Sequence, residues 1–281
     1  DLLIDFDCCA YSFMHNVCAK KIAYFHFSFA QVMKQNSRRM KRIGRELENY
    51  DTVITISKAM QEEGCSLFPA LKDKIEVIYN AKNPEIIRQK AAVTPDDERI
   101  KRPFLLAVER LEESQKDLTT LLEAYALLRK EYHREEWLYI IGKGRSEDEL
   151  KEKAKELGID DRTVFLGFCA NPYPWMLHSK MLVHSAKFEG LPTVLIEGLL
   201  LNKLMVATDC PTGPQEILDN GKAGLLVPVG NAAAFAKEIN RLLNDSQLQA
   251  DILEGVRNRA TDFTFQAVDG QLKKIGIGVN K

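Results

Sequence analysis

From Pro103 onward the chain alternates short apolar runs with segments of helical periodicity, and this alternation constrains its fold more than any other feature. Six runs predict strands, at residues 104–108, 138–141, 163–166, 181–183, 203–207 and 225–227. Helices are predicted at 118–132, 147–157, 192–201, 214–218 and 232–243, and Ser146 with Glu149 and Thr212 with Gln215 form capping-box patterns. Because continuously apolar strands need cover on both faces, we expect a doubly wound α/β domain with a parallel sheet.

A shorter version of the same alternation precedes this domain. Strands are predicted at 2–4, 22–25, 53–56 and 75–78, with one helix over 29–47. The charged, proline-containing segment 93–102 predicts a hinge. The expected division is therefore a first domain at 1–92, a hinge at 93–102, a second domain at 103–262 and an amphipathic segment at 263–281, either a tail or a helix returning to the first domain. Ligands of such sheets bind outside the carboxyl ends of the strands, which predicts a cleft at the hinge.

Composition excludes several classes of protein. A formal net charge of -1 and 45% hydrophobic residues argue against a nucleic-acid binder and against a disordered chain. No apolar run approaches the roughly 18 residues that a membrane span requires. Six cysteines without a C-x-x-C pair indicate neither a zinc site nor a disulfide framework, and they favour a cytoplasmic location. The start at Asp1, in an apolar run and without methionine, predicts a chain whose beginning is missing.

Residues 188–198, Phe-Glu-Gly-Leu-Pro-Thr-Val-Leu-Ile-Glu-Gly, place Glu189 and Glu197 on either side of a loop-to-helix junction. Pro192 is tolerated at a first helical position, so a helix should begin near Leu191. Its first N–H groups would favour a phosphate. The following helix is apolar almost all round, so Glu197 needs a partner when it is buried, and sugar hydroxyls would supply one. This is the layout expected of a nucleotide-sugar site.

Cations that could hold the phosphates follow the strand at 104–108. Arg110 leaves the carboxyl end of that strand, and Lys116 lies just before the next helix. A guanidinium can bind a diphosphate through two hydrogen bonds while an ammonium adds a point charge. Two ordinary surface cations remain the alternative.

Six sequence strings in order resemble family 4 of the glycosyltransferases. They are Val-Glu-Arg110-Leu, Gln-Lys116-Asp, Ile-Gly142-Lys-Gly144, Phe165-Leu-Gly167, the run from Phe188 to Glu197, and Gly221-Lys-Ala-Gly224-Leu-Leu-Val-Pro228. The resemblance covers 103–262 as a donor-binding domain and implies a GT-B fold of two Rossmann-like domains, the first incomplete, with a retaining reaction. Asn171-Pro-Tyr173 resembles bacterial members that build lipopolysaccharide or capsule. Two departures are the missing glycine-rich loop near the N-terminus and Glu109, where many relatives have glycine.

The resemblance implies a role for each matching position. Arg110 and Lys116 would hold the donor diphosphate, and Glu197 would accept the ribose hydroxyls. Glu189 would contact the donor sugar, and His26 would face that sugar from the acceptor domain, although a histidine between aromatic residues is often a core residue. Backbone groups would support the sugar and phosphate at Gly190, Leu191, Pro192, Thr193 and Val194, and would read the base at Phe168 and Cys169.

The expected function is transfer of a sugar from a nucleotide-sugar donor to a growing glycan or lipid-linked acceptor. A UDP-sugar is expected as the donor in preference to a GDP- or ADP-sugar. No metal and no other cofactor are expected, because Arg110, Lys116 and the helix terminus would stabilise the leaving diphosphate. A nucleotide-sugar epimerase and a binding module without turnover stay open as alternatives.

Six cations among residues 34–45 have two open interpretations. A solvated helix face is the commoner case. The other is a surface that docks peripherally on anionic lipid at the inner face of the plasma membrane.

Overall fold

The structure is a computed structural model that describes residues 1–14, 18–93 and 95–277. It divides into two compact units. The first comprises the described residues within 1–81, 189–191 and 266–281, and the second those within 82–188 and 192–265. The boundary in the first half of the chain therefore falls between Ala81 and Lys82, ahead of the charged segment 93–102.

The first unit is built on a parallel sheet of four strands in the order β1-β2-β3-β4. Its strands are β1 (Leu2–Phe6), β2 (Lys20–Phe25), β3 (Thr52–Thr55) and β4 (Ile75–Val77), and its helices are α1 (Tyr11–Met14), α2 (Phe29–Gln35), α3 (Ser37–Leu47), α4 (Lys58–Leu67) and, late in the chain, α14 (Phe265–Lys274). Val268 of α14 packs with Ile22, Ile54 and Ile78 in the core of this unit. The segment expected as a tail or a returning helix thus contains a helix of the first unit.

The predicted single helix over 29–47 is wrong in one respect, because the chain breaks at Asn36. This residue ends α2 and begins α3, and its side-chain oxygen accepts the N–H of Arg39 at 3.0 Å. Asparagine is among the best residues for such a cap, since its short side chain reaches the free N–H groups of the first turn. The break leaves Met40, Ile43 and Leu47 buried on one side of α3.

The second unit contains the longer sheet. Its strands are β5 (Phe104–Val108), β6 (Trp137–Ile141), β7 (Thr163–Gly167), β8 (Met181–His184), β9 (Met205–Thr208) and β10 (Leu225–Val227), and its helices are α5 (Pro84–Ala91), α6 (Glu113–Lys116), α7 (Leu118–Tyr132), α8 (Glu147–Glu156), α9 (Tyr173–His178), α10 (Thr193–Leu200), α11 (Pro214–Ile217), α12 (Ala232–Asn244) and α13 (Ser246–Ala260). The six strands and helices α7, α8, α10, α11 and α12 agree with the predicted ones to within about two residues, the expected uncertainty of such ends. Helices α5, α6, α9 and α13 were not predicted.

All strands of this sheet are parallel, in the order β10-β9-β8-β5-β6-β7. The chain runs outward from β5 through β6 to β7, then returns to the other side of β5 to form β8. Because the connections leave β5 and β8 in opposite directions, a crevice opens between the carboxyl ends of these two strands. The loops after β5 and after β8 therefore lie where a doubly wound sheet binds its ligand.

Both predicted capping boxes are wrong. The Ser146 side chain does not cap α8, because its oxygen accepts the N–H of Glu113 at 3.1 Å instead. Thr212 adopts a left-handed backbone with φ 61°, and Gly213 takes the cap position before α11. A tertiary hydrogen bond in the first case and a turn in the second override the local capping pattern.

Helix α5 belongs to the second unit, although the sequence analysis placed it in the first domain. The Asn171 amide donates to the carbonyl of Lys90 in the last turn of α5, at 2.9 Å. At the other end, the N–H of Lys82 donates to the carbonyl of Phe263, also at 2.9 Å. These two hydrogen bonds attach the segment 82–91 to the second unit.

Candidate functional site

The loop after β5 passes very close to the loop after β6. The N–H of Glu109 donates to the Ile141 carbonyl at 2.9 Å, and the N–H of Leu111 donates to the Lys143 carbonyl at 3.1 Å. A Cβ on Gly142 would lie 1.7 Å from the Glu109 carbonyl oxygen, and one on Gly144 2.2 Å from that of Leu111. Gly142 and Gly144 lie in the turn between β6 and α8, and both glycines are required by this close approach.

Arg110 occupies the carboxyl end of β5 and is exposed. Its guanidinium donates to the Gln115 side-chain oxygen at 3.1 Å, and the Gln115 amide donates to the Phe188 carbonyl at 3.4 Å. The N–H of Lys187 in turn donates to the Gln115 carbonyl at 2.7 Å. Gln115 thus links the loop that follows β5 to the loop that follows β8, and these two loops lie at the crevice between the strands.

Lys116 differs from Arg110 because its side chain is only 11% exposed, and its ammonium lies 4.0 Å from Glu109 Oε2. The Glu109 carboxylate is 0% exposed, and its Oε1 lies 3.2 Å from Nδ1 of His184, which is 1% exposed. The Lys116 carbonyl accepts the Ser185 hydroxyl at 2.9 Å. Lys116 is therefore part of a buried cluster in which the Glu109 carboxylate lies near both the Lys116 ammonium and the His184 imidazole.

Glu197 has two protein partners. Its Oε1 lies 3.1 Å from the Lys82 ammonium and accepts the Tyr173 hydroxyl at 3.2 Å. The Glu197 side chain is 12% exposed and that of Lys82 is 32% exposed. Burial, and secondarily the Glu197 carboxylate, raises the pKa of Tyr173 to about 12, so the hydroxyl keeps its proton at neutral pH.

The predicted need of Glu197 for a partner is met within the protein, where sugar hydroxyls were the expected partners. Lys82 and Tyr173 already provide the charge and the hydrogen bond that a buried carboxylate needs. The predicted burial of its helix is confirmed: Leu195, Ile196 and Leu199 of α10 are all buried.

Helix α10 begins two residues later than predicted. Pro192 is the residue before the first helical turn, with an extended backbone, and Thr193 is the first helical residue. Thr193 and Val194 are half-buried. Gly198 allows the helix to pack closely, because a Cβ there would lie 2.5 Å from the sulfur of Met205 on β9.

Glu189, Gly190 and Leu191 group with the first unit and with His26. A Cβ on Gly190 would lie 2.7 Å from the His26 carbonyl oxygen, so only glycine fits without a shift. The His26 ring stacks on that of Tyr24 at 4.9 Å, and its Nδ1 lies 3.4 Å from Asp7 Oδ1. Burial would raise the pKa of Asp7, but hydrogen bonds from the His26 ring and N–H outweigh it, and the pKa is lowered. Asp7 therefore remains a carboxylate that orients the imidazole.

Two further predicted positions lie after β7. Phe168 is 71% exposed, and the Cys169 thiol donates to the Asn171 carbonyl at 3.2 Å. Gly167 has φ 72°, a conformation that turns the chain sharply before Phe168. The backbone at 168–169 follows the carboxyl end of the edge strand β7.

Asp5 and Asp7 lie two residues apart in the sequence, but their carboxylates bind different partners. Asp5 is buried and accepts the Tyr50 hydroxyl at 2.5 Å and the Ala10 N–H at 3.0 Å. Asp7 accepts the N–H of His26 at 2.8 Å. Each carboxylate is thus engaged with a different part of the first unit.

The family model for "Glycosyl transferases group 1" matches residues 92–259, which is more than half of the chain. The chain belongs to this family. A relative in Campylobacter jejuni, N-acetylgalactosamine-N,N'-diacetylbacillosaminyl-diphospho-undecaprenol 4-alpha-N-acetylgalactosaminyltransferase, is 33% identical over 213 residues, with 76% of this chain and 56% of the relative covered. The lipopolysaccharide 1,6-galactosyltransferase of Salmonella typhimurium is 28% identical over 222 residues, with 76% and 59% covered.

The group 1 chain thus spans a little over half the length of these curated relatives. Its fold matches the crystal structure of Anabaena HepE in complex with UDP and glucose, with a TM-score of 0.79, 20% identity and coverage of 92% of this chain and 71% of HepE. A glycosyltransferase from Rickettsia africae matches with a TM-score of 0.77, 20% identity and coverage of 99% and 76%. The predicted α/β fold of the GT-B type is confirmed.

Sequence reasoning missed four residues of this group 1 transferase. Lys82 and Tyr173 contact Glu197, and Glu109 contacts both Lys116 and His184. In the sequence, Tyr173 and Glu109 stand only in the family strings, Glu109 as a departure from the usual glycine. No local pattern signals Lys82, because it meets Glu197 across more than a hundred residues of sequence. His184 carried a signal, since an imidazole at the end of a buried strand needs a partner.

Proposed function

We propose that the protein transfers a sugar from a nucleoside-diphosphate sugar, a UDP-sugar first among them, to a growing cell-surface glycan or a lipid-linked acceptor. Family membership carries the reaction class. The relatives' names support the acceptor class, since one acts on a diphospho-undecaprenol-linked sugar and another on lipopolysaccharide. UDP in the fold relative HepE supports the choice of base.

The proposed reaction breaks the bond between the anomeric carbon and the donor diphosphate and forms a bond from that carbon to the acceptor oxygen on the same face. The acceptor proton passes to the leaving diphosphate, so retention and proton balance are both satisfied. Negative charge grows on the leaving group, and Arg110 and Lys116 would stabilise it most in the transition state. With these cations at the crevice between β5 and β8, the proposal requires no metal.

Glu197 would bind the ribose and Glu189 the donor sugar. Both protein contacts of Glu197 engage Oε1, and Oε2 would accept the ribose hydroxyls. Lys82 and Tyr173 would keep the carboxylate charged and oriented, which reduces the entropy lost when the donor binds. His26, oriented by Asp7, would contact the donor sugar.

Calorimetry with a panel of nucleoside diphosphates tests the diphosphate assignment. Arg110→Ala should weaken binding about ten- to a hundredfold, the effect of removing a hydrogen bond to a charged group. Arg241→Ala is the matched control, because it removes an exposed arginine that pairs with Glu238 in its own helix. Equal affinities in wild type and Arg110→Ala would contradict the proposal.

The same measurement distinguishes the roles proposed for Glu189 and Glu197. Glu197→Gln should weaken the binding of a nucleoside diphosphate without a sugar, whereas Glu189→Gln should preserve that binding and lower turnover in the full-length enzyme. The opposite pattern would exchange their roles. Incubation with donor alone tests the epimerase alternative, which predicts a changed sugar without any acceptor.

We also propose that helix α3 contacts anionic lipid at the inner face of the plasma membrane. Lys34 at the end of α2, and Arg38, Arg39, Lys41, Arg42 and Arg45 on α3, are all exposed. Each basic residue close to an anionic surface contributes about 1 kcal/mol. The proposed contact is peripheral, through this basic surface. Among the described residues, no helix is long and apolar enough to span a bilayer.

Co-sedimentation with vesicles of increasing anionic content tests this contact. Replacing Arg38, Arg39, Lys41 and Arg42 by Ser should abolish binding at low salt. The control replaces four exposed cations of the second unit, Lys130, Lys155, Lys222 and Lys237, by Ser and should bind as wild type. Equal loss in both variants would indicate net charge alone, and wild-type binding in the first variant would eliminate the surface.

A further inference from the structure

The buried cluster of Glu109, Lys116 and His184 lies at the point where the strand order of the second unit reverses. Glu109 follows β5, His184 ends β8, and these two neighbouring strands flank the crevice. The Glu109 carboxylate lies between an imidazole at 3.2 Å and an ammonium at 4.0 Å. A carboxylate completely removed from solvent is unfavourable unless cationic partners stay close to it.

The charge of this cluster depends on the imidazole. With a neutral His184, the charges of Glu109 and Lys116 cancel. With a protonated His184, the imidazolium is the nearer partner of Glu109, and the cluster carries one net positive charge beside the crevice. A diphosphate at Lys116 would therefore bind more tightly to the protonated cluster, and by linkage its binding would draw a proton onto His184.

We propose that Glu109 and His184 are positioning residues for the donor diphosphate: Glu109 restrains the Lys116 ammonium, and His184 takes up a proton as the diphosphate binds. This inference rests on the proposed function, because it assumes that Lys116 meets a diphosphate. It explains why a carboxylate can lie directly beneath an anion site. The proton that arrives with the ligand offsets the charge of Glu109.

The other charged groups around the cluster do not replace His184 in this role. Helix α6 and the residue after it contribute Glu113 and Asp117, and both carboxylates pair with Lys187 from the loop after β8, at 3.9 and 3.1 Å. Arg110 extends from the loop after β5. The neighbouring strand β9 contributes the uncharged Thr208, whose hydroxyl donates to the Ala186 carbonyl. Burial raises the pKa of Glu113, although Thr119 and Lys187 oppose this. Histidine is the side chain that ordinarily changes charge between about pH 5 and 8.

Calorimetry of UDP-glucose binding in buffers of different ionisation enthalpy measures the proton directly. UDP-glucose is the probe because its diphosphate is a diester and does not titrate near neutral pH. Wild type should take up protons on binding, and its affinity should fall as the pH rises from about 6 to about 8, by at most about tenfold per pH unit for one linked proton. His184→Gln should remove both the uptake and the pH dependence.

Glu109→Gln should likewise remove the uptake and should weaken binding on the order of tenfold, because Lys116 loses the group that restrains it. His133→Asn is the matched control. It removes an exposed imidazole at the end of α7, and asparagine tolerates the left-handed backbone found there, φ 52°. This control should keep the wild-type uptake.

Wild-type binding without proton uptake would overturn the inference and leave the proposed function intact. Loss of uptake in His26→Gln together with its retention in His184→Gln would assign the proton to the other histidine and would also overturn it. Failure of UDP-glucose and every other nucleotide sugar to bind would instead contradict the proposed function itself. Proton uptake by the wild-type protein can be measured without any variant, so the inference remains testable if His184→Gln does not fold.

Discussion

Two glutamates of the second unit are paired with lysines, but in different surroundings. Glu109 and its neighbours His184 and Lys116 are almost completely removed from solvent. Glu197 is mostly buried, whereas its partner Lys82 keeps about a third of its side chain exposed. The Lys82 ammonium can exchange Glu197 for water at modest cost, and the Lys116 ammonium cannot leave Glu109 so readily.

Under the proposed function, this difference suits the two pairs to different tasks. A pair with one exposed partner can adjust when a ligand hydroxyl arrives, which suits recognition of a ribose. The buried pair changes its electrostatics only through a proton, and this suits a group that must hold a diphosphate and release it. Burial of the lysine thus determines which response each site can give.

The largest expected effect is on stability. Glu109→Ala should lower the free energy of unfolding by about 3 to 5 kcal/mol, because it removes one partner of a buried charge pair. Glu197→Ala should cost about 1 kcal/mol, since Lys82 can turn toward water. Urea unfolding of both variants measures the difference.

Glu109→Gln is the control for packing, because it keeps the shape of the side chain and removes the charge. It should retain most of the loss seen in Glu109→Ala. Equal destabilisation by Glu109→Ala and Glu197→Ala would break the distinction between the two pairs.

An intermediate effect is expected in double-mutant cycles. The coupling free energy between Glu109 and Lys116 should exceed that between Glu197 and Lys82, which we expect at up to about 1 kcal/mol. Added salt should reduce the second coupling more than the first, because solvent ions screen a partly exposed pair and reach a buried one poorly. Two couplings of the same size and salt dependence would contradict this prediction.

The fold could largely be predicted from the sequence because its strands are continuous apolar runs. The run that forms β5, Phe104–Val108, is buried along nearly its whole length. A continuous apolar run of this length predicts a strand that is covered on both faces. Helix ends were harder. Asn36 breaks a predicted helix and Ser146 leaves its cap for the N–H of Glu113, and both outcomes depend on packing that local patterns do not contain.

Sequence motifs located individual residues of the candidate site, but they did not show the ion pairs that these residues form with residues distant in the sequence. Arg110 and Lys116 lie at the carboxyl end of β5, as expected from their place in the sequence. The sequence could not show that Lys116 is buried beside Glu109, because their ion pair depends on how α6 folds back after β5. Nor could it show that Lys82 lies beside Glu197 and is one of the partners that this carboxylate needs.

The smallest expected effect concerns the hydroxyl that shares Glu197 with Lys82. Tyr173→Phe should lower the free energy of unfolding by about 1 kcal/mol at neutral pH, the net contribution of one hydrogen bond. In the folded protein the pKa of Tyr173 is about 12, whereas an unfolded tyrosine titrates near 10. Stability from this group is therefore fully present below about pH 10 and is lost as the pH rises toward about 12. The difference between wild type and Tyr173→Phe in urea unfolding should accordingly shrink above about pH 10, and a constant difference would show that Glu197 does not depend on this hydroxyl.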